Sequence, residues 1–98
     1  MSSITSQAVG ASPTVKARRK SFLICTSAAW SGENVAIEYC SEDSGVATDW
    51  VPLRINGSGT PISFSSNNGL SVASNLYYRF VKSAGVAVVK MELVDDIY

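Results

Sequence analysis

The chain has 98 residues, of which 46% are hydrophobic and 16% are charged. These values are typical of a single globular domain, although the charged fraction lies below the usual ~25%. The absence of histidine excludes Ser-His-Asp and Cys-His nucleophile pairs and histidine metal sites, and two cysteines cannot hold zinc by themselves. We therefore expect no enzymatic activity and no metal or other cofactor.

Charge is distributed unevenly along the chain. The first 32 residues carry four basic side chains, all within 16–20, and no acidic one, so their formal charge is +4. The remainder has four basic and eight acidic residues and carries −4. Four charges make a weak electrostatic footprint for nucleic acid. We expect the basic segment to contact an acidic protein surface or solvent, and nucleic acid is not an expected partner.

Residues 1–15 (MSSITSQAVGASPTV) are rich in Ser and Thr and are interrupted by Gly10 and Pro13. No apolar period runs through them, so alone they have the composition of a disordered tail. When such a terminal segment is ordered, another surface must hold it in place. We therefore expect residues 1–20 to form an extended arm that lies across a neighbouring subunit.

Residues 16–30 (KARRKSFLICTSAAW) place basic residues before an apolar run, as a secretory signal does. The apolar run is short, and Thr26 and Ser27 interrupt it, so a strand over 21–29 is the better interpretation. No stretch of the chain approaches the ~20 apolar residues of a membrane span. We expect no membrane association.

A second strand over 35–40 follows after a four-residue turn, and we expect the two strands to pair as an antiparallel hairpin. In the symmetric register Trp30 lies opposite Val35. One face of this hairpin, which includes Phe22 and Ile24, is largely apolar and should supply part of the core.

The same register places Cys25 directly opposite Cys40, within the distance of a disulfide. The alternative is a pair of small, buried thiols. We favour the thiols, because disulfides form in oxidising compartments and no export signal is evident.

An acidic, turn-rich loop over 41–48 precedes a strand over 49–55. The loop lacks the alternating acids and the glycine spacing of an EF-hand, so we interpret it as a solvated loop and not as a calcium site. Pro52 has no N–H to donate, which predicts an edge position for the strand. We interpret Trp50 as a core or inter-subunit aromatic, and a sugar-stacking platform is the alternative.

A short strand over 61–65 places Ile62 and Phe64 on one face. The next four residues, 66–69 (SNNG), predict a turn, since Asn and Gly accept positive φ. A brief strand over 70–73 follows.

Residues 75–94 (NLYYRFVKSAGVAVVKMELV) predict a closing hairpin. In the expected register Phe80 lies opposite Val89, and Tyr78 lies opposite Met91, which gives one continuous apolar face. A hairpin of this size is not stable alone in water, so its apolar face must pack on another sheet.

About seven short strands, with turns every 8–12 residues and no helical period, predict an all-β fold. We expect an antiparallel β-sandwich, of the jelly-roll or Ig-like kind, with an extended N-terminal arm. The expected domains are the arm over 1–20 and the sandwich over 21–98.

Four stretches of the sequence together carry a resemblance to a known class of proteins. They are the Ser/Thr-rich leader, the Trp-containing strand at 49–53 (DWVPL), the glycine-punctuated middle, and the Tyr-Arg-Phe strand at 78–80 with its Val-rich successor. In these features the chain resembles, over roughly 22–94, the small β-sandwich proteins of tailed-bacteriophage virions, which serve as capsid decoration or cement proteins.

The resemblance implies a structural virion protein, assembled in the host cytoplasm, that binds the outside of a capsid. It would stabilise joints between capsid subunits through its arm and through self-association. The implied partners are the major capsid protein or another virion protein, and further copies of this chain, as a trimer around a symmetry axis.

We expect no catalytic, cofactor-binding or metal-binding residues. The expected interface residues are Ile4, Val9, Val15, Arg18, Arg19, Trp30, Trp50, Tyr77, Arg79 and Tyr98. One alternative function is a neck, tail or fibre component that binds host-surface glycans through its aromatic side chains. An enzymatic alternative pairs Asp49 with Glu42 or Asp43 as in a glycosidase, but carboxylates in one turn-rich loop are usually solvated.

Overall fold

The computed structural model describes residues 2–41, 50–54 and 60–95, and these form ten β-strands and no helix. The strands are β1 Ser2–Ser6, β2 Gly10–Ala11, β3 Val15–Ala17, β4 Ser21–Ser27, β5 Val35–Cys40, β6 Val51–Pro52, β7 Ser63–Phe64, β8 Asn68–Val72, β9 Leu76–Lys82 and β10 Val89–Asp95. In the described part of the chain, no helix is long and apolar enough to cross a membrane.

The strands form two antiparallel sheets. The first sheet has the order β1-β10-β4-β8. In the second sheet β9 and β5 lie side by side at the centre; β2 and β3 pair with the other edge of β9, and β6 and β7 pair with the other edge of β5. The predictions of an all-β chain and of antiparallel sheets packed in two layers are confirmed.

The core lies between the two sheets. Along β9 the side chains of Tyr78 and Phe80 are buried, and along β10 those of Val89, Met91 and Leu93 are buried, as the alternation of a strand requires. The other buried members of the core are Val15, Ala17, Leu23, Cys25, Val35, Ile37, Ile62, Phe64 and Val72. The radius of gyration is 12.6 Å, against about 13 Å for a compact domain of 100 residues.

The strands pair in a nested order along the chain, the first with the last and so on towards the middle of the sequence. β1 pairs with β10, β2 and β3 pair with β9, β4 pairs with β8, and β5 pairs with β6 and β7. The first half of the chain therefore runs antiparallel along the second half, and most partners are far apart in sequence. The additional pairs β10–β4 and β9–β5 join these units into the two sheets.

The predicted closing hairpin is wrong, because β9 and β10 lie in different sheets. Phe80 is the register partner of Ile37, and Val89 is the register partner of Ser27. The inward faces of both strands are those that the sequence predicted, but they meet across the core and not side by side. A period of two residues determines which face of a strand is buried, but it does not determine which other strand pairs with it.

The predicted hairpin of β4 with β5 is wrong in the same way. Cys25 is the register partner of Met91 and Asn68 in the first sheet, whereas Cys40 is the partner of Tyr77 in the second. Neither cysteine forms a disulfide, and both are buried. The interpretation as two buried thiols is confirmed.

The inward face of β4 is the opposite of the predicted one. Leu23 is fully buried, whereas Phe22 is exposed and Ile24 is half-buried on the outer face of the first sheet. The Phe22 ring lies against Gly69 of the adjacent strand, where a Cβ atom would come within 2.8 Å of the ring. Because Gly69 has no side chain, the outward-facing Phe22 ring can pack against the backbone of β8.

The N-terminal segment belongs to both sheets. Residues 2–6 run along β10, and residues 15–17 run along β9. A strand edge offers N–H and C=O partners to any backbone, so a polar segment is ordered there without an apolar period of its own. The predicted arm over 1–20 that lies on a neighbouring subunit is not confirmed, because residues 2–17 are part of the two-sheet body.

The structure also locates the turns and edges. Pro52 lies in the edge strand β6, as predicted. The turn predicted over 66–69 is shorter, because Asn68 and Gly69 already belong to β8. Positive φ angles occur instead at Asn75, Gly10, Gly32 and Gly85.

Candidate interaction site

The outer face of the second sheet carries a cluster of aromatic and charged side chains. Tyr77 and Arg79 alternate with the buried residues of β9 and therefore point away from the core. Glu38 on β5 is the register partner of Arg79, and Lys16 on β3 is the partner of Tyr77. Trp50 immediately precedes β6 at the edge of the sheet. These five residues are the outer cluster.

Arg79 joins the charged and aromatic parts of the outer cluster. Its Nε and Nη2 atoms each lie 2.8 Å from Oε1 of Glu38, and its guanidinium carbon lies 4.3 Å from the centre of the Trp50 ring. The Arg79 and Glu38 side chains are 24% and 21% exposed. A charge-assisted hydrogen bond and a cation–π contact therefore hold the guanidinium in one position at a partly desolvated site.

The second aromatic contact of the outer cluster lies on the neighbouring strand. Nζ of Lys16 lies 5.5 Å from the centre of the Tyr77 ring, within the range of a cation–π interaction. Cys40, the register partner of Tyr77, is 2% exposed although its position is on the outer side of β5. The outer side of the second sheet is therefore shielded from solvent at this position.

The structure brings together three of the predicted interface residues, Trp50, Tyr77 and Arg79, in this one surface. Trp30 lies elsewhere, in the connection between β4 and β5, where its Nε1 donates to Oδ1 of Asn67 at 2.7 Å. The predicted partner of Trp30 was Val35, which instead pairs across the second sheet with Phe64 and Lys82.

The remaining predicted interface residues are scattered. Val15 is buried in the core, and Ile4 packs against the core cluster. Both side chains therefore contact the chain's own core. Val9 is 60% exposed in the connection between β1 and β2. Arg18 and Arg19 are exposed between β3 and β4.

Some predictions fall outside the described residues. Tyr98 and the acidic loop residues Glu42, Asp43 and Asp49, with the calcium and glycosidase alternatives that depend on them, lie outside the described ranges. Within those ranges, no group of three or more Cys, Asp or Glu side chains could hold a metal ion.

Two members of the outer cluster, Glu38 and Lys16, were not among the predicted interface residues. Each is a charged, outward-facing residue of a short strand, VAIEYC or VKA, so the alternation of the strand predicts a surface position for both. Their role depends on which strand lies beside β9, and the sequence does not reveal this register.

A groove of about 830 Å³ opens on a different surface, where β8 of the first sheet separates from β6 and β7 of the second. Its lining includes the core side chains Val72 and Phe64 and the hydroxyl-bearing Tyr78. The Tyr78 hydroxyl donates to the carbonyl of Ala73 at 2.9 Å, and burial raises its pKa to about 12. The groove is thus a continuation of the apolar core, with a phenol that stays protonated.

No protein-family model, curated protein or solved structure significantly matches the chain. The outer cluster consists of two aromatic rings and three charged groups that lie on paired strands or directly beside one. Tryptophan, tyrosine and arginine are the residue types that dominate binding energy at protein interfaces.

Proposed function

We propose that the protein is a structural virion protein of the decoration or cement type, which binds the outside of a bacteriophage capsid through its outer cluster. We infer that the two sheets form a jelly roll. If β2 is counted with β3 and β6 with β7, eight strands remain, and they pair first with last and so on inward. Jelly rolls of eight strands are typical of viral capsid and lectin domains.

The observation that carries the proposal is the contact of Arg79 with both Glu38 and Trp50. A guanidinium fixed in this way loses little side-chain entropy when a partner covers it, so binding retains more of the energy of each contact. A few hundred Å² of apolar area at ~25 cal/mol per Å² gives several kcal/mol before the entropy cost of association. Repetition of such a contact over a shell makes a modest single-site affinity sufficient.

The N-terminal segment has a different role in this proposal from the one that the sequence suggested. Because residues 2–6 and 15–17 pair with strands of their own chain, the segment completes both sheets and is not the tether to the capsid. The capsid contact is assigned to the outer cluster.

The glycan-binding alternative is less consistent with the outer cluster. A sugar ring stacks on an open aromatic face, whereas one face of Trp50 carries the Arg79 guanidinium and the ring of Tyr77 lies under the Lys16 ammonium. Tryptophan, tyrosine and arginine are enriched at protein–protein interfaces, which favours a protein partner for this surface.

The test uses capsids assembled without this protein and purified protein added back. We expect wild-type protein to co-sediment saturably with the capsids and to raise their melting temperature. The double variant Trp50→Ala/Arg79→Ala should lose about 2–4 kcal/mol of binding free energy, which is about 30- to 700-fold in affinity. The matched control, Phe22→Ala/Lys90→Ala, removes an aromatic and a cation from the outer face of the other sheet.

Four results would contradict the proposal. Wild-type protein that does not bind the capsids would exclude the decoration role. A Trp50→Ala/Arg79→Ala variant that binds as tightly as the wild type, or a control variant that loses as much affinity, would exclude the outer cluster as the contact. Binding to a glycan array that is lost on Trp50→Ala would favour the glycan-binding alternative.

A further inference from the structure

One end of the molecule is formed by four of the connections that cross between the two sheets. They are residues 7–9, 28–34, 65–67 and 83–88. The register places them together: Val89 pairs with Ser6 and Ser27 in the first sheet, and Lys82 pairs with Gly10 and Val35 in the second. We call these four connections the uncharged end.

The uncharged end exposes no ionisable side chain. Its connections and the strand residues that flank them contain two charged residues, Glu33 and Lys82, and each of these is only 1% exposed. The opposite end carries the basic turn between β3 and β4, at 18–20. One end of the molecule therefore exposes no charged side chain, whereas the opposite end exposes a basic turn.

Apolar side chains cover the uncharged end instead. Val86 is 75% exposed, Val9 is 60% exposed and Val88 is 49% exposed. They lie among exposed alanines, namely Ala8, Ala28, Ala29 and Ala84. Single exposed apolar residues are normal on a protein surface, whereas a group on one uncharged surface marks an interaction site.

Buried Lys82 fixes the connections that carry these valines. Its Nζ donates to the carbonyl of Gln7 at 2.8 Å and to that of Ala87 at 2.6 Å. The Gln7 side chain in turn donates to the carbonyl of Val86 at 2.9 Å. The first and last connections are thus held against one another by charge-assisted hydrogen bonds.

Buried Glu33 joins the second of these connections, 28–34, to the last, 83–88. Its carboxylate accepts hydrogen bonds from the backbone N–H and the hydroxyl of Ser31, at 2.6 and 2.7 Å, and from the N–H of Ala87 at 2.8 Å. Gly85, at φ +93°, passes so close that a Cβ atom there would overlap the Glu33 carboxylate. The apolar surface is therefore preorganised, which lowers the entropy cost of covering it.

We propose that the uncharged end binds the uncharged end of a second copy of this chain. The surface has no charge that would repel its own image, and the whole chain has a formal net charge of zero, a condition that favours self-association. The molecule measures 33 × 31 × 26 Å, so one end is wide enough for the ~800 Å² per partner of a standard interface.

This contact is independent of the outer cluster, which lies on the face of the second sheet and not at its end. An end surface that meets its own image gives a two-fold, end-to-end pair in which residue 86 of one copy faces the other copy. Such a pair differs from the trimer that the resemblance implies, and the mass of the assembly distinguishes the two.

Sedimentation velocity over a concentration series tests the inference with purified protein. We expect wild-type protein to form a reversible dimer. Val86→Asp alone and Val86→Lys alone should each weaken dimerisation at least tenfold by like-charge repulsion across the contact, and an equimolar mixture of the two variants should dimerise more tightly than either. The control Val94→Asp adds the same charge at an exposed position at the far end of β10 and should dimerise like the wild type.

Four outcomes would overturn the inference. They are a wild-type protein that stays monomeric throughout the series, a trimer, a Val94→Asp variant that is weakened as much as Val86→Asp, and a mixture that dimerises no better than its components. Co-sedimentation of monomeric protein with phosphatidylcholine vesicles that is lost in Val86→Asp would assign the surface to a lipid interface instead. Capsid binding through the outer cluster is expected even if the dimer is absent, so failure here differs from failure of the proposed function.

Discussion

Replacement of the buried Lys82 by methionine tests the architecture of the uncharged end most sharply. Methionine retains most of the apolar stem and removes the ammonium group. The variant leaves the carbonyls of Gln7 and Ala87, which now accept from Nζ at 2.8 and 2.6 Å, without this donor.

The cost follows from those two hydrogen bonds. Leaving a fully buried acceptor unpaired costs about 1–3 kcal/mol; these two hydrogen bonds are part-buried, so about 6 kcal/mol is the upper limit for losing both. Removal of a buried ammonium recovers part of this, because its desolvation no longer opposes folding. We expect Lys82→Met to lower the free energy of unfolding by about 2–4 kcal/mol, which corresponds to a fall in Tm of roughly 10–30 °C for a domain of this size.

Thermal and urea unfolding, followed by tryptophan fluorescence, measure the effect. The matched control is Lys90→Met, which makes the same chemical change at a side chain that is 46% exposed and lies 3.8 Å from Glu92. Exposed ion pairs contribute about 0–1 kcal/mol, so the control should unfold close to the wild type. Equal stability of the Lys82→Met and Lys90→Met variants would refute the role of Lys82 in holding the connections together.

Three further predictions concern ionisation, thiol chemistry and the outer cluster. Hydrogen bonds, first from the Ser31 amide, lower the pKa of Glu33 from 4.5 to about 2. The contribution of Glu33 to stability is therefore complete above pH 4.5 and is lost as the pH falls towards 2. A plot of Tm against pH over this acid range should be flatter for Glu33→Gln than for the wild type. Burial raises the pKa of Cys25 to about 12, so this thiol should resist alkylation at pH 8 in the native protein and react on unfolding, as mass spectrometry would show; rapid native labelling of Cys25 would contradict its burial. A double-mutant cycle of Trp50→Ala and Arg79→Ala should give a coupling of about 0.5–2 kcal/mol in unfolding free energy, and additive single effects would show that the cation–π contact does not form.

The buried faces of several strands could be predicted from sequence because their alternation is unambiguous. Val35 and Ile37 on β5 and Tyr78 and Phe80 on β9 are buried as the period of two predicts. On β4 the pattern SFLICTS is apolar at both parities, so Phe22 competed with the neighbouring Leu23 for the inward side. Only the packing between the sheets decides such a strand.

Strand pairing could not be predicted by reading neighbouring strands as hairpins. Short connections such as 83–88 look like hairpin turns, yet here the connection crosses from one sheet to the other. The first strand, β1, pairs with the last strand, β10, and Leu93 is the register partner of Ser2. No local sequence signal predicts a contact between residues so far apart in the chain. The ordering of the polar N-terminal segment follows from this closure.

The candidate surfaces were accessible to sequence reasoning to different degrees. Trp50, Tyr77 and Arg79 were identified by residue type alone, because large aromatics and arginine in strands are candidate interface residues. Their common location, and the part of Glu38, required the pairing of β5 with β9. The uncharged end is invisible in the sequence, since its four connections are spread over positions 7 to 88.

Closure of the chain by its own first strand is tested most directly by a cross-strand disulfide. Ser3 is the register partner of Glu92, and direct antiparallel partners lie within disulfide distance. In a Ser3→Cys/Glu92→Cys variant, whose native thiols Cys25 and Cys40 are buried, mild oxidation should give an intrachain bond and a monomer on non-reducing electrophoresis. Covalent dimers or longer chains linked from residue 3 to residue 92 would show that the N-terminal segment lies on a neighbouring subunit and would contradict the account.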